Sequence, residues 1–158
     1  MPVYDQYREL LMEELDSLAD FMPYIGLFTS RLVFTKMIQQ YEIYRTVMER
    51  PGHIVELGVY HGESFFNWAR FMEMHNIGDR QTKVIGFDTF SGFPSVSDKD
   101  KTAVNQGEEG QYAVREGGFN AGERAHQRVR KLMEIFENDH FVPQRPRMEL
   151  IKGDIAET

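Results

Sequence analysis

Three short segments put a carboxylate and a glycine directly behind an apolar run. They are Glu56 with Gly58 and Gly62 in HIVELGVYHGES (His53–Ser64), Asp88 with Gly92 in KVIGFDTFSGFP, and Asp154 behind Gly153 in RMELIKGDI. If each run is a strand of one parallel sheet, the three ends meet at a common crevice, where open α/β sheets bind their ligands. An acid at the end of the second strand can accept from both hydroxyls of a ribose. A glycine turn lets a ligand lie against the main chain, and the helix behind it offers unpaired N–H groups. Asp154 suits an exocyclic amine, with the aliphatic Ile155 against a ring face. The pattern points to a nucleoside-containing cofactor.

Two cofactor classes compete for such a crevice. A dinucleotide prefers G-x-G-x-x-G, with its pyrophosphate on the helix N-terminus. Here Gly58 and Gly62 are spaced G-x-x-x-G, and Glu56 stands ahead of the turn. A carboxylate there repels a pyrophosphate and suits the cationic amino group of a methionine moiety. S-adenosylmethionine (SAM) fits this arrangement better than NAD.

The elements that must position these residues follow from periodicity. Tyr7, Leu10, Leu11, Leu15, Leu18 and Met22 recur at helical spacing, predicting a helix over 4–22 that Pro23 stops. A second helix is expected over 30–49, with Thr29 or Ser30 as N-cap and Pro51-Gly52 as its end. The first strand and turn lead into a helix over 63–75. Its Phe65, Phe66, Trp68, Ala69, Phe71 and Met72 read as core rather than as a ligand platform. The second strand is expected over 83–90, followed by a polar stretch over 95–119 without periodicity, the length of a lid or binding loop. Asn120 and Glu123 form a capping-box pattern ahead of a helix buried through Ala121, Ala125, Val129, Leu132, Met133 and Phe136. A third strand spans 147–152.

The order β-α-β-α-β with right-handed crossovers gives a doubly wound, Rossmann-like α/β parallel sheet with spatial order 3-2-1. Residues 1–50 read as a helical appendage and 51–158 as the cofactor-binding half of the sheet domain. The first strand would then keep an apolar edge without a partner, a condition natural proteins avoid. The expectation is therefore a truncated chain, with further strands following Thr158.

Bulk properties narrow the function classes. The chain has 158 residues, a formal net charge of −7 and no cysteine. The charge argues against nucleic acid and anionic membranes as partners. The missing cysteine removes disulfides, thiolate metal sites and a cysteine nucleophile. No signal peptide or membrane-spanning run is read, so a cytoplasmic location is expected. Arg124, Arg128, Arg130 and Lys131 read as a solvated helix face, as do Asp98, Asp100, Glu108 and Glu109 in the polar stretch. His53, His75, His126 and His140 lack ligand spacing, and no metal site is read from them. His61 reads as a loop histidine rather than a base. Glu56 as a buried structural acid and Asp88 as a turn cap are the competing structural readings.

VELGVYHGES, GFDTFSGFP and LIKGDIAET, in that order, resemble the macrocin O-methyltransferase (TylF-type) family of SAM-dependent methyltransferases, over roughly residues 24–158. The resemblance implies a class I methyltransferase fold, SAM as donor and a hydroxyl acceptor on a small, commonly sugar-containing molecule. It also implies a divalent metal such as Mg²⁺ in the complete enzyme. By position, Glu56, Gly58 and Ser64 match the first SAM motif, with Val59, Tyr60 and Gly62 in the turn between them. Asp88, Thr89, Phe90 and Gly92 match the ribose motif, Gly153, Asp154 and Ile155 the adenine side, and Thr29 the methionine end. His61-Gly62-Glu63 departs from the Arg-Gly-Gly frequent in the family, and Asp154-Ile155 from its aromatic pair. The metal ligands and catalytic base of the family fall beyond this sequence, so the fragment alone is expected to be inactive. An NAD-type oxidoreductase and a non-catalytic nucleoside-binding half-domain completed by a partner stay open, as does a homo-oligomer.

Overall fold

A computed structural model describes residues 3–13, 26–79, 81–100, 114–139 and 146–157. The chain divides into two compact units, Met1–Glu42 and Ile43–Thr158. The dividing line falls inside a helix, a few residues before the Pro51-Gly52 break. The first unit holds α1 (Val3–Glu13) and most of α2 (Arg31–Val47). The second half of the helix expected over 4–22 lies outside the described residues. Ser30 is the hydroxyl that caps α2, accepting from the Val33 N–H at 3.4 Å.

The second unit is a three-stranded parallel sheet in the order β1 (Ile54–Leu57), β2 (Val84–Asp88), β3 (Met148–Lys152). This is the order that right-handed crossovers predict. Ile54 pairs with Val84 and Val84 with Met148, so Glu56, Gly86 and Leu150 share one face, and Leu57, Phe87 and Ile151 share the other.

The first of these faces carries both crossover helices, α3 (Glu63–His75) and α4 (Glu123–Asn138). Gly86 makes the close approach possible: a Cβ there would stand 2.6 Å from Val59 Cγ2 and 2.7 Å from Phe65 Cε2. The two helices meet through Phe66 and Phe136, whose rings are 6.0 Å apart and edge-on. Phe65, Phe66, Ala69, Phe71 and Met72 are buried, as are Ala125 and Val129. The aromatic stripe of α3 is therefore core, with Trp68 as a partial exception described below. At the other end of the sheet, the Tyr44 hydroxyl donates to Asn76 Oδ1, and the Asn76 amide donates to the Met48 carbonyl.

The opposite face is bare by comparison. Val55 is 54% exposed and Leu57 62%. Among the described residues β1 pairs only with β2, so its outer edge carries no ladder.

The entry to α4 differs from the capping box. Gly122, at φ 79° and ψ 162°, occupies the N-cap without a side-chain cap. Asn120 Oδ1 instead accepts from the Gly122 N–H at 2.8 Å, and the Glu123 carboxylate bonds Lys152 and His126. The cation on β3 outcompetes the backbone for Glu123, and its carboxyl titrates below the usual range because of those two bonds, Lys152 foremost.

Candidate functional site

The carboxyl end of β2 organises the site. The Gly58 N–H donates to the Phe87 carbonyl at 2.8 Å, and the Gly153 N–H to the Asp88 carbonyl at 3.0 Å, tying the turns behind β1 and β3 to the central strand. The Asp88 side chain adds two shorter bonds. Its Oδ2 accepts from the Tyr60 N–H and its Oδ1 from the Phe90 N–H, both at 2.6 Å. Tyr60 and Phe90 have φ of 54° and 55°. A non-glycine residue there costs roughly 1–2 kcal/mol, and charge-assisted bonds to one carboxylate offset that cost. Asp88 is thus both a turn cap and a bridge between two loops.

Around this carboxylate lies a cavity of about 380 Å³. Of the residues the sequence singles out, Gly58 and Tyr60 line it from β1, Asp88, Thr89 and Gly92 from β2, and Gly153, Asp154 and Ile155 from β3. Thr89 shapes its own loop, donating from Oγ1 to the Gly92 carbonyl at 2.7 Å and accepting from the Ser91 N–H. Gly58, at φ 87°, faces open space, and a Cβ on it would meet no protein atom within 4 Å. A ligand can therefore approach that stretch of main chain.

The six other singled-out residues stand outside the lining. Val59 and Phe90 are 2% and 3% exposed and belong to the core. Gly62, at φ 93°, is the N-cap of α3, with Val129 and Phe66 against the position of its missing Cβ. Glu56 and Ser64 bond each other: the Ser64 hydroxyl donates to Glu56 Oε1 at 2.8 Å. The Trp68 indole N–H donates to Glu56 Oε2 at 2.7 Å. Burial pushes the Glu56 carboxyl above the usual range, opposed by the bonds from Ser64 and Trp68 and reinforced by the charge of Asp88. Thr29 lies in the first unit, where its N–H donates to the Gly26 carbonyl.

His61 sits beside Tyr60, ring centroids 4.0 Å apart, and Arg128 Nη2 stands 2.8 Å from its Nδ1. A guanidinium can only donate, so Nδ1 accepts and the ring proton is on Nε2. Burial, then the Arg128 charge, holds this histidine below its ordinary pKa. Among the described residues no group of three or more His, Asp or Glu side chains could hold a metal ion.

The structure adds residues that sequence reasoning missed. Phe93, Pro94 and Phe119 line the cavity together with Leu57 and Phe87. Phe119 comes from the end of the polar stretch, where Gly117 and Gly118 pack on the β2 loop. The Phe93 N–H donates to the Gly118 carbonyl, the Gly117 N–H to the Phe93 carbonyl, and the Gly122 N–H to the Phe90 carbonyl. Gly92 permits this contact, since a Cβ there would overlap the Gly117 and Gly118 backbone. Only the glycine pair at 117–118 hinted at so close an approach. Trp68 had no such signal, because its partner lies on a strand.

No family model matches the chain, and no curated protein matches it. Solved structures do. The crystal structure of CalS11, a calicheamicin methyltransferase, superposes with a TM-score of 0.84 at 25% identity, covering 98% of this chain and 58% of that one. The apo structure of CalS11, named TDP-rhamnose 3'-O-methyltransferase, gives 0.71 at 22% identity, covering 98% of this chain and 56% of that one. The O-methyltransferase NovP gives 0.51 at 20% identity, covering 78% of this chain and 46% of that one. The chain thus spans less than two thirds of the length of these proteins. The three-stranded sheet of β1, β2 and β3, with its helices, has the Rossmann-like fold of these methyltransferases.

Proposed function

We propose that the chain binds SAM across the carboxyl ends of β1, β2 and β3 and forms the cofactor-holding part of an O-methyltransferase. The acceptor in this reading is a hydroxyl on a small, sugar-containing molecule, and the relationship is to the TylF type. The observation that carries it is Asp88, which lines the cavity from the central strand with a glycine turn on one side and Asp154-Ile155 on the other. Each Asp88 oxygen accepts one backbone N–H and keeps a second lone pair, which suits the two hydroxyls of a ribose. The open main chain at Gly58 suits the methionine portion, and Asp154 the exocyclic amine of adenine. The similarity to CalS11 supports the sugar-containing acceptor.

Bound there, SAM supplies an electrophilic methyl group on a sulfonium. The chain's own contribution is to fix the nucleoside by its ribose and base, so that the methyl group is held for in-line attack. Glu56 serves this reading by fastening α3 to β1 behind the turn. A divalent ion such as Mg²⁺, helping to deprotonate the acceptor hydroxyl, belongs to the same reading of the whole enzyme, as does a cytoplasmic location.

Calorimetric titration with S-adenosylhomocysteine, SAM and NAD⁺ tests the proposal. Saturable binding of the first two, with NAD⁺ silent, is expected. Binding of NAD⁺ alone would replace the reading with an oxidoreductase. The bare edge of β1 favours a second reading, a non-catalytic half-domain that completes its sheet with a partner chain and acts as a binding or regulatory module. Stable self-association without nucleoside affinity would favour it.

A further inference from the structure

Phe119 is a bulky residue at φ 57°, a conformation that glycine or asparagine would take at less cost. Its ring is not buried as compensation. It is 39% exposed, and its edge-to-face neighbour Phe93, 5.5 Å away, is 40% exposed. Both line the cavity. Strain spent on presenting an apolar ring to a cavity indicates use of that ring.

Its place in the sheet order says for what. Phe119 leads directly into α4, whose first residue, Glu123, pairs with Lys152 at the end of β3. The next residues of β3's exit are Gly153, Asp154 and Ile155, which face the same cavity. Gly122 is at the same time bonded to the Phe90 carbonyl behind β2. These bonds tie the segment that carries Phe119 to the ends of both β2 and β3, and Phe119 shares the cavity with Ile155. If Asp88 takes a ribose, the base falls toward β3 and the amino-acid chain toward β1.

We infer that Phe119, steadied by Phe93, is the stacking platform for the purine ring, with Ile155 as the opposite wall. The inference rests on the SAM-binding reading and deepens it: selectivity for a nucleoside with a large planar base resides in the strained segment before α4. Base–aromatic stacking depends on ring area rather than on hydrogen bonding, so a larger ring should serve as well.

The test uses the full 158-residue chain, with affinities for S-adenosylhomocysteine and for adenosine measured by calorimetry and stability by urea unfolding. Phe119→Gly removes the ring and the steric conflict together. It is expected to keep or raise the unfolding midpoint while weakening both ligands by the same factor, about tenfold or more. Phe119→Trp is expected to bind both within about threefold of the parent, a ratio set by retained stacking. Equal affinity in parent and Phe119→Gly would overturn the platform while leaving SAM binding intact. Loss of S-adenosylhomocysteine affinity alone, with adenosine unchanged, would move the ring to the amino-acid end and overturn it too. A parent chain that binds neither ligand would remove the cofactor reading and the platform together. If Phe119→Gly fails to fold, Phe93→Leu carries the same expectations at reduced size, and unchanged adenosine affinity there would count against the platform.

Discussion

Glu56 and Asp88 look alike in the sequence, each a carboxylate near the end of an apolar run with glycines behind it. In the folded chain both accept two hydrogen bonds, yet from different sources. Glu56 is bonded by Ser64 and Trp68, two side chains of one helix. Asp88 is bonded by the backbone N–H groups of Tyr60 and Phe90, on two different loops. One acid fastens a helix to a strand, and the other shapes the cavity it lines. A similar place in the sequence does not give equivalent work. What separates the two is whether the partners are helix side chains or loop backbone.

The comparison breaks most visibly at Asp88. Asp88→Ala leaves two backbone N–H groups without their acceptor and removes the offset to two left-handed residues. We expect a loss of about 2–4 kcal/mol in urea unfolding, and at least about a hundredfold loss of S-adenosylhomocysteine affinity by calorimetry. Stability loss without affinity loss would reduce Asp88 to a turn cap.

Trp68→Phe tests the other acid at smaller size. It strips one donor from a partly buried carboxylate and should cost about 1.5–2 kcal/mol, read in the same unfolding experiment. It should leave adenosine affinity within about twofold, because the indole lies outside the cavity.

Glu56→Gln is the mildest change, about 1 kcal/mol near neutral pH by urea unfolding, and its signature is a pH slope. Burial raises the Glu56 pKa in the folded chain, so between the ordinary value of 4.5 and the raised one the folded chain holds more protons than the unfolded chain. Stability therefore falls as pH climbs through that window and is level above it. Glu56→Gln should flatten this slope, while Trp68→Phe, which removes a bond that lowers the pKa, should extend it upward. Urea midpoints of the three proteins across the window check both. A tenfold or larger affinity loss in Glu56→Gln would give this acid direct contact with the ligand and dissolve the contrast with Asp88.

Much of the fold was legible because its signals are local. Apolar runs with Pro and Gly breaks gave the alternation of strands and helices, and crossover handedness gave the sheet order. Asp88, Gly153 and Asp154 reached the cavity because strand ends in a parallel sheet coincide. What was not legible is tertiary. Glu56 meets a tryptophan twelve residues on, a spacing no pattern rule links to a strand. Asn120 and Glu123 had capping-box spacing, but Lys152, distant in sequence, takes Glu123 away. Phe119 sits in a stretch without periodicity, and its left-handed conformation follows from glycines packing against Gly92, which only the folded loop reveals.

The central position of β2 also has a meaning in time. Val84 finds Ile54 about thirty residues behind it, but Met148 arrives about sixty residues later. At a synthesis rate of roughly 5–20 residues per second, one side of β2 waits several seconds on the ribosome without its ladder. Throughout that interval the nascent chain exposes an apolar strand edge, on an element whose face packs against α3. Yield of folded protein should accordingly depend on what shields this strand during translation, more than on the stability of the finished sheet.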